Sequence, residues 1–342
     1  MASGNRVWGW LAVALVAGLA LVPVFVEDAT LNRFTATGVL TLAILGLVVG
    51  TGQAGLINLA QGVFVGIGAF AMGAYLDLLG LPFLVALAAT VATGAGAGVV
   101  LGLPALRVRG IHLALITLGL AVLFPAVAKR FPMVTGGSSG RAVRSTLEPP
   151  GWFWSSASAW RYYWCLAVVV AAYVMVAGLL NSRAGRAMQA VRDNEVAAAA
   201  FGVDVVAAKT GAFAVSSALA ATAGGLRVLA FPFVSQDQYT VFLSFRLYAA
   251  AVVGGVAELA GAVVGTATLA GVPALNGWLG ITSNDELAFG VALVLLTFVA
   301  PDGLAGVVAA RLRRRRAGPG PPSQRAGGGH DDDEPAVVRP RR

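Results

Sequence analysis

The sequence predicts an all-α fold: a polytopic helical membrane protein of about ten transmembrane helices, with broken or re-entrant segments among them. Three observations lead there. Hydrophobic residues make up 58% of the chain and charged residues only 12%. Apolar runs of roughly 18 or more residues recur, each long enough to cross a bilayer. Between them lie short polar or glycine-rich breaks, at the spacing expected of successive spans.

Taken in order, the apolar windows fall near residues 7–26, 36–53, 61–79, 84–104, 110–128, 163–180, 209–230, 243–257, 260–279 and 287–306. The first resembles a signal peptide but has no clear small-residue cleavage site before Glu27 and is long enough to span. The eighth and ninth form one long run interrupted by Glu258, which fits two short helices, a re-entrant pair or a single tilted span. Residues 1–306 thus read as one transmembrane domain. Residues 307–342, basic at first and then mixed in charge, are rich in Gly, Pro and Arg and read as a disordered tail whose removal from residue 317 should be nearly silent.

An even number of spans puts both termini on the cytoplasmic side. Arg6, Arg107, Arg109 and the basic tail then lie inside, and the loop Lys129–Arg161 lies outside. Much of the net charge of +8 belongs to that tail, where basic residues report orientation and contact with anionic lipid rather than nucleic acid. The single Cys165 sits in an apolar run and reads as core packing.

One segment departs from the apolar pattern. Residues 181–207 carry Arg183, Arg186, Arg192, Asp193 and Glu195 between two long apolar runs. Asn181 or Ser182 is placed to cap a helix, the Ala-rich sequence favours helix through Phe201, and Gly202 suits the position after its end. The expectation is one short helix outside the bilayer, with Ala197–Ala200 offering a smooth surface to a partner; a solvated connector is the plainer alternative.

Polar groups at membrane depth need partners or water, so Gln53, Asn58 and Gln61, with Gly66 and Thr117, either line a translocation path or join helices by hydrogen bonds. The run Gly50–Gly55 matches GxGxxG, yet lacks the preceding strand of a dinucleotide site and fits a helix break better. Gly94, Gly98 and Gly102 fit close helix packing. Arg246 and Glu258 are candidates for an ion pair, because an unpaired membrane charge costs roughly 2.5–3.5 kcal/mol on insertion scales. The stretch around Gly55–Ala60 is weakly echoed at Gly255–Ala260, as in duplicated transporters. Gly136–Gly140 is either an ordered turn or a flexible loop. No catalytic residues and no metal site are expected: His112 is the sole histidine before the tail, the carboxylates are scattered, and HExxH and GxxxxGK[ST] are missing. Any use of ATP must come from a partner.

Several blocks, in order, resemble one family: Gly52-Gln53 with Gly66–Phe70, Leu106–Gly110 with Leu113–Leu118, Thr135-Gly136-Gly137, and above all Ser182–Ala187 through Arg192-Asp193-Asn194-Glu195 to Gly202, followed by Lys209 and Ala212-Phe213. This pattern is similar to the permeases of branched-chain amino acid ABC importers, LivM type. His112 and Asp302 depart from it, and Asn58–Gly62 looks closer to the sister LivH type. The resemblance implies an ATPase-coupling loop at 181–207, with Arg183, Gly185, Arg186, Arg192, Asp193, Asn194, Glu195, Ala198 and Gly202 as its residues. It also implies a bacterial inner-membrane location, a homologous LivH-type permease, two ATPase subunits that use the ATP, and an external solute-binding protein. This chain itself would bind no cofactor. An ion-gradient-driven secondary transporter and a membrane scaffold that transports nothing are the other readings; neither needs a helix that docks an ATPase.

Overall fold

A computed structural model describes residues 16–23, 25–105, 111–144, 147–151, 156–278 and residue 290. All of these belong to one compact unit. Apart from residue 290, the expected span 287–306 lies outside the described residues, as do the tail and half of the span at 7–26.

The architecture is helical. Residues 16–23 form α1, and α2 (Asp28–Gly38) and α3 (Leu40–Leu47) run on through a π-helical stretch, Val48–Gln53. The others are α4 (Gln61–Asp77), α5 (Phe83–Ala105), α6 (Ile111–Arg130), the single turn α7 (Pro132–Thr135), α8 (Ala157–Asn181), α9 (Arg183–Asp193), α10 (Glu195–Ala200), α11 (Val205–Ala230), α12 (Val241–Gly254) and α13 (Ala260–Trp278). Among the described residues, Asp28–Gln53, Phe83–Leu103, His112–Arg130, Ala157–Asn181 and Val205–Ala230 are long and apolar enough to cross a membrane.

Helix α11 is the hub. Gly94, Gly98 and Gly102 of α5 face Ala221, Ser217 and Phe213 of α11, as small residues at four-residue spacing should. Phe64 of α4 meets Phe213 edge-on, with ring centroids 5.6 Å apart. Cys165 is buried with its Sγ toward the Leu226 carbonyl, in the core as expected.

Two spans start earlier than the hydropathy windows place them. The second runs from Asp28 rather than 36, and α8 begins at Ala157 rather than 163. The polar groups just before that window are used internally, Arg161 donating to Leu229 O at 3.4 Å and Tyr162 to the α1 carbonyl of Leu19 at 2.7 Å; Tyr163 likewise donates to Ala20 O at 3.1 Å. The loop expected over Lys129–Arg161 is correspondingly shorter, since Lys129 and Arg130 end α6 and Arg161 lies in α8.

The described residues at the start of that loop are held by hydrogen bonds. Thr135 closes its start through bonds to Ala128 O and from Gly137 N, and strand β1 (Arg141–Ala142) pairs antiparallel with β2 (Phe233–Val234). Asp77, at the end of α4, accepts from Arg144 N at 3.1 Å and lies 3.9 Å from Arg141. Because α8 and α11 each cross the molecule, this capped end is opposite the end that carries α9 and α10.

The long run at 243–279 resolves into two helices. α12 and α13 fold back antiparallel, with Gly254 against Gly261 and Ala250 against Gly265. At 1.5 Å per residue the 14 residues of α12 reach only ~21 Å, short of a bilayer core of ~30 Å.

Candidate functional site

Two helix breaks and the polar segment meet at one end of the molecule. The first break follows the π-helical stretch, where the chain reverses at Gly55 (φ 69°). Leu56 N donates to Gly50 O, and Gln61 reaches Ala43 O, so residues 54–60 run back beside α3 before α4 begins. Extended backbone inside a membrane protein is tolerated only when its polar groups are satisfied within the protein. Here Leu59 N donates to Thr117 Oγ1 at 3.1 Å, Ala60 N to Asn58 Oδ1 at 2.9 Å, and Thr51 Oγ1 to Leu56 O at 2.8 Å.

Gln61, fully buried at the start of α4, organises this region. Its Nε2 donates to Ala43 O at 2.8 Å and to Ser216 O at 3.4 Å, and its Oε1 accepts from Asn58 Nδ2 at 3.0 Å and Ser216 Oγ at 3.3 Å. A Cβ on Gly46 would sit 2.6 Å from that amide nitrogen, so α3 needs a glycine there. Gly62 N donates to Ser244 Oγ at 2.9 Å, which brings α12 into the same network. Of the residues singled out from sequence, Asn58, Gln61 and Thr117 therefore lie together as buried interhelical hydrogen-bonding groups. Gly66 lies farther along α4, against Phe124 and Tyr239.

The second break, residues 255–259, turns at Gly255 (φ 103°), matching the positive φ of Gly55 at the other echoed position. The two breaks touch. A Cβ on Gly52 would fall on the Val256 carbonyl oxygen, and Gln53 Nε2 donates to Ala257 O at 2.8 Å. Tyr173 of α8 donates to Leu259 O at 3.2 Å and holds the same turn from another side. Glu258 lies in this turn, half-buried, and Arg246 is about 12 Å along α12 from the helix end. Neither is without a partner.

The polar segment contains two helices rather than the single one expected. Ser182 caps α9, accepting from Gly185 N, while Asn181 is the last residue of α8. Asn194 then leaves helical geometry (φ −160°, ψ 109°) and accepts from Val196 N and Ala197 N at 3.0 Å, which starts α10 anew. Gly202, at φ 81°, ends α10, with Val203 N bonded to Ala198 O as in a Schellman-type close.

The charged residues divide by role. Arg192 donates to the Gly52 carbonyl and Gln189 Nε2 to Gln53 Oε1 at 2.8 Å, so α9 grips the first break. Arg186 bonds back to Asn181 O at 3.0 Å, and Gly185 packs tightly under the end of α8. Glu195 turns toward Lys209 of α11, which is only 7% exposed, and its carboxylate fastens α10 to that helix. Ala198, Met188 and Val191 are buried. Arg183 and Asp193 are exposed, and so are three large apolar side chains nearby: Val196 at 71%, Phe201 at 89% and Val206 at 62%. Sequence reasoning passed over these three, as well as Gln189, Ser216 and Ser244. Val196 and Phe201 were visible as bulky apolar residues in polar surroundings.

Residues 29–300 match the family described as the permease component of branched-chain amino acid transport systems. The chain belongs to that family. It is 29% identical to the high-affinity branched-chain amino acid transport system permease protein LivM of Salmonella typhimurium (strain LT2), an alignment covering 89% of this chain and 76% of that protein. Identity to the LivM protein of Escherichia coli (strain K12) is 28%, over 88% and 76% respectively. No solved structure matches. The chain is a multi-pass helical membrane protein of a permease family.

Proposed function

We propose that this protein is a permease subunit of an ABC importer for branched-chain amino acids in the bacterial plasma membrane. It works beside a homologous LivH-type permease, with two ATPase subunits that bind and hydrolyse the ATP and an external solute-binding protein that delivers substrate. The observation that carries the reading is the α9–α10 segment. It is folded and capped outside the long helices, one face is fastened to the membrane breaks, and the other leaves Val196 and Phe201 exposed, with Val206 at the start of α11 exposed beside them. Bulky apolar groups exposed among charges mark protein-binding surfaces. The substrate class rests on the family and on the names of the relatives.

In this account, closure of the ATPase pair displaces α9–α10 as a rigid element and rocks the attached spans between inward-open and outward-open states. The α9–α10 end is then cytoplasmic, and the β1–β2 end receives the binding protein. Phe201→Asp tests the docking surface. Tagged wild-type protein extracted in mild detergent should retain the ATPase subunits, and Phe201→Asp should lose them while remaining in the membrane. Equal retention by the variant would refute this surface as the docking site.

A further inference from the structure

Gln53 uses both ends of its side-chain amide between elements far apart in sequence. Its Nε2 donates to Ala257 O in the second break, 204 residues away, and its Oε1 accepts from Gln189 Nε2 of α9, 136 residues away, each at 2.8 Å. The side chain is buried at 7% exposure, between two turns already in van der Waals contact through Gly52 and Val256. A neutral amide suits the place, since it can donate to a carbonyl and accept from an amide at once; a carboxylate would repel the Ala257 oxygen and an ammonium could not accept. Arg192 binds the first break alone, through Gly52 O.

We infer that Gln53 is a positioning residue that makes the two membrane turns move as one body with α9, so that one displacement outside the membrane reaches both broken hairpins together. The inference rests on the proposed function above. The first break leads into α4 and the second joins α12 to α13, so the clamp lets a single lever act on two separate parts of the helical core.

The test uses the full importer, copurified with its ATPase subunits and reconstituted in vesicles, and reads leucine taken up per ATP hydrolysed. Wild type is compared with Gln53→Leu, Gln189→Leu and the double variant. Tyr173 still holds the second turn when Gln53 is changed, so Gln53→Leu should assemble. Losing one hydrogen bond shifts an equilibrium roughly two- to tenfold; Gln189→Leu removes one and Gln53→Leu two, so a fall in the uptake-to-ATPase ratio of at least that size is expected for each single variant. The double variant should be no worse than Gln53→Leu, because both changes cut the same connection. A wild-type ratio in Gln53→Leu, uptake and hydrolysis falling in equal proportion, or single effects that multiply in the double would each overturn the inference. Should Gln53→Leu fail to assemble, Gln189→Leu on the exposed side of α9 decides by the same ratio. A wild-type complex whose uptake does not use ATP would refute the proposed function itself and the inference with it.

Discussion

Gln61 and Lys209 illustrate how this fold keeps polar side chains away from water. Gln61 spends both amide ends on partners from α3, the first break and α11, and leucine there would strand the Ala43 carbonyl and the Asn58 amide. Gln61→Leu should cost about 1–3 kcal/mol, read as an earlier thermal transition in detergent; an unchanged transition would mean the network contributes nothing. Lys209→Met leaves the Glu195 carboxylate without its lysine. The cost should be about 1–2 kcal/mol, below the ~3–5 kcal/mol of a fully buried pair, because the Glu195 side chain keeps 27% exposure. Lys209→Met with Glu195→Gln should recover most of that loss. Protease sensitivity of the 194–204 stretch would report both.

At the scale of elements, the division of the polar segment into α9 and α10 depends on Asn194. Replacing its cap by alanine should cost about 1 kcal/mol and speed hydrogen exchange at Val196 and Ala197 without disturbing α9. Gly98→Val should part α5 from α11, since even a Cβ would sit 2.7 Å from Ser217 Cβ; a loss of about 1–3 kcal/mol in the same thermal assay is expected. The helices α4, α5, α6 and α11 were legible from apolar length, and the packing role of Gly94, Gly98 and Gly102 from their spacing. The start of α8 was not, because a hydropathy window cannot know that Arg161 and Tyr162 spend their polar groups on Leu229 O and Leu19 O within the protein. Nor was the split at Asn194: alanine on its far side favours helix, and only the side chain's bond to the next amides shows that a new helix begins there.

For the whole molecule, the sequence pointed to the elements that meet at one end but not to their meeting. Gln53 and the 181–207 segment were each identified as polar exceptions, yet nothing in their spacing links residue 53 to residues 189 and 257. Such contacts arise from how spans pack, and a one-dimensional pattern carries no record of them. The exposed Val196, Phe201 and Val206 gain meaning only once α9 and α10 are seen to have their other face committed. The central claim is that this permease is driven through that surface by separate ATPases. The most direct test is leucine uptake into vesicles holding the complex copurified with this chain, with its binding protein outside the transport entrance and ATP on the α9–α10 side. The account predicts uptake that requires ATP and persists when ionophores abolish every ion gradient. Uptake that ignores ATP and follows an ion gradient, from a chain that purifies without ATPase subunits, would contradict it.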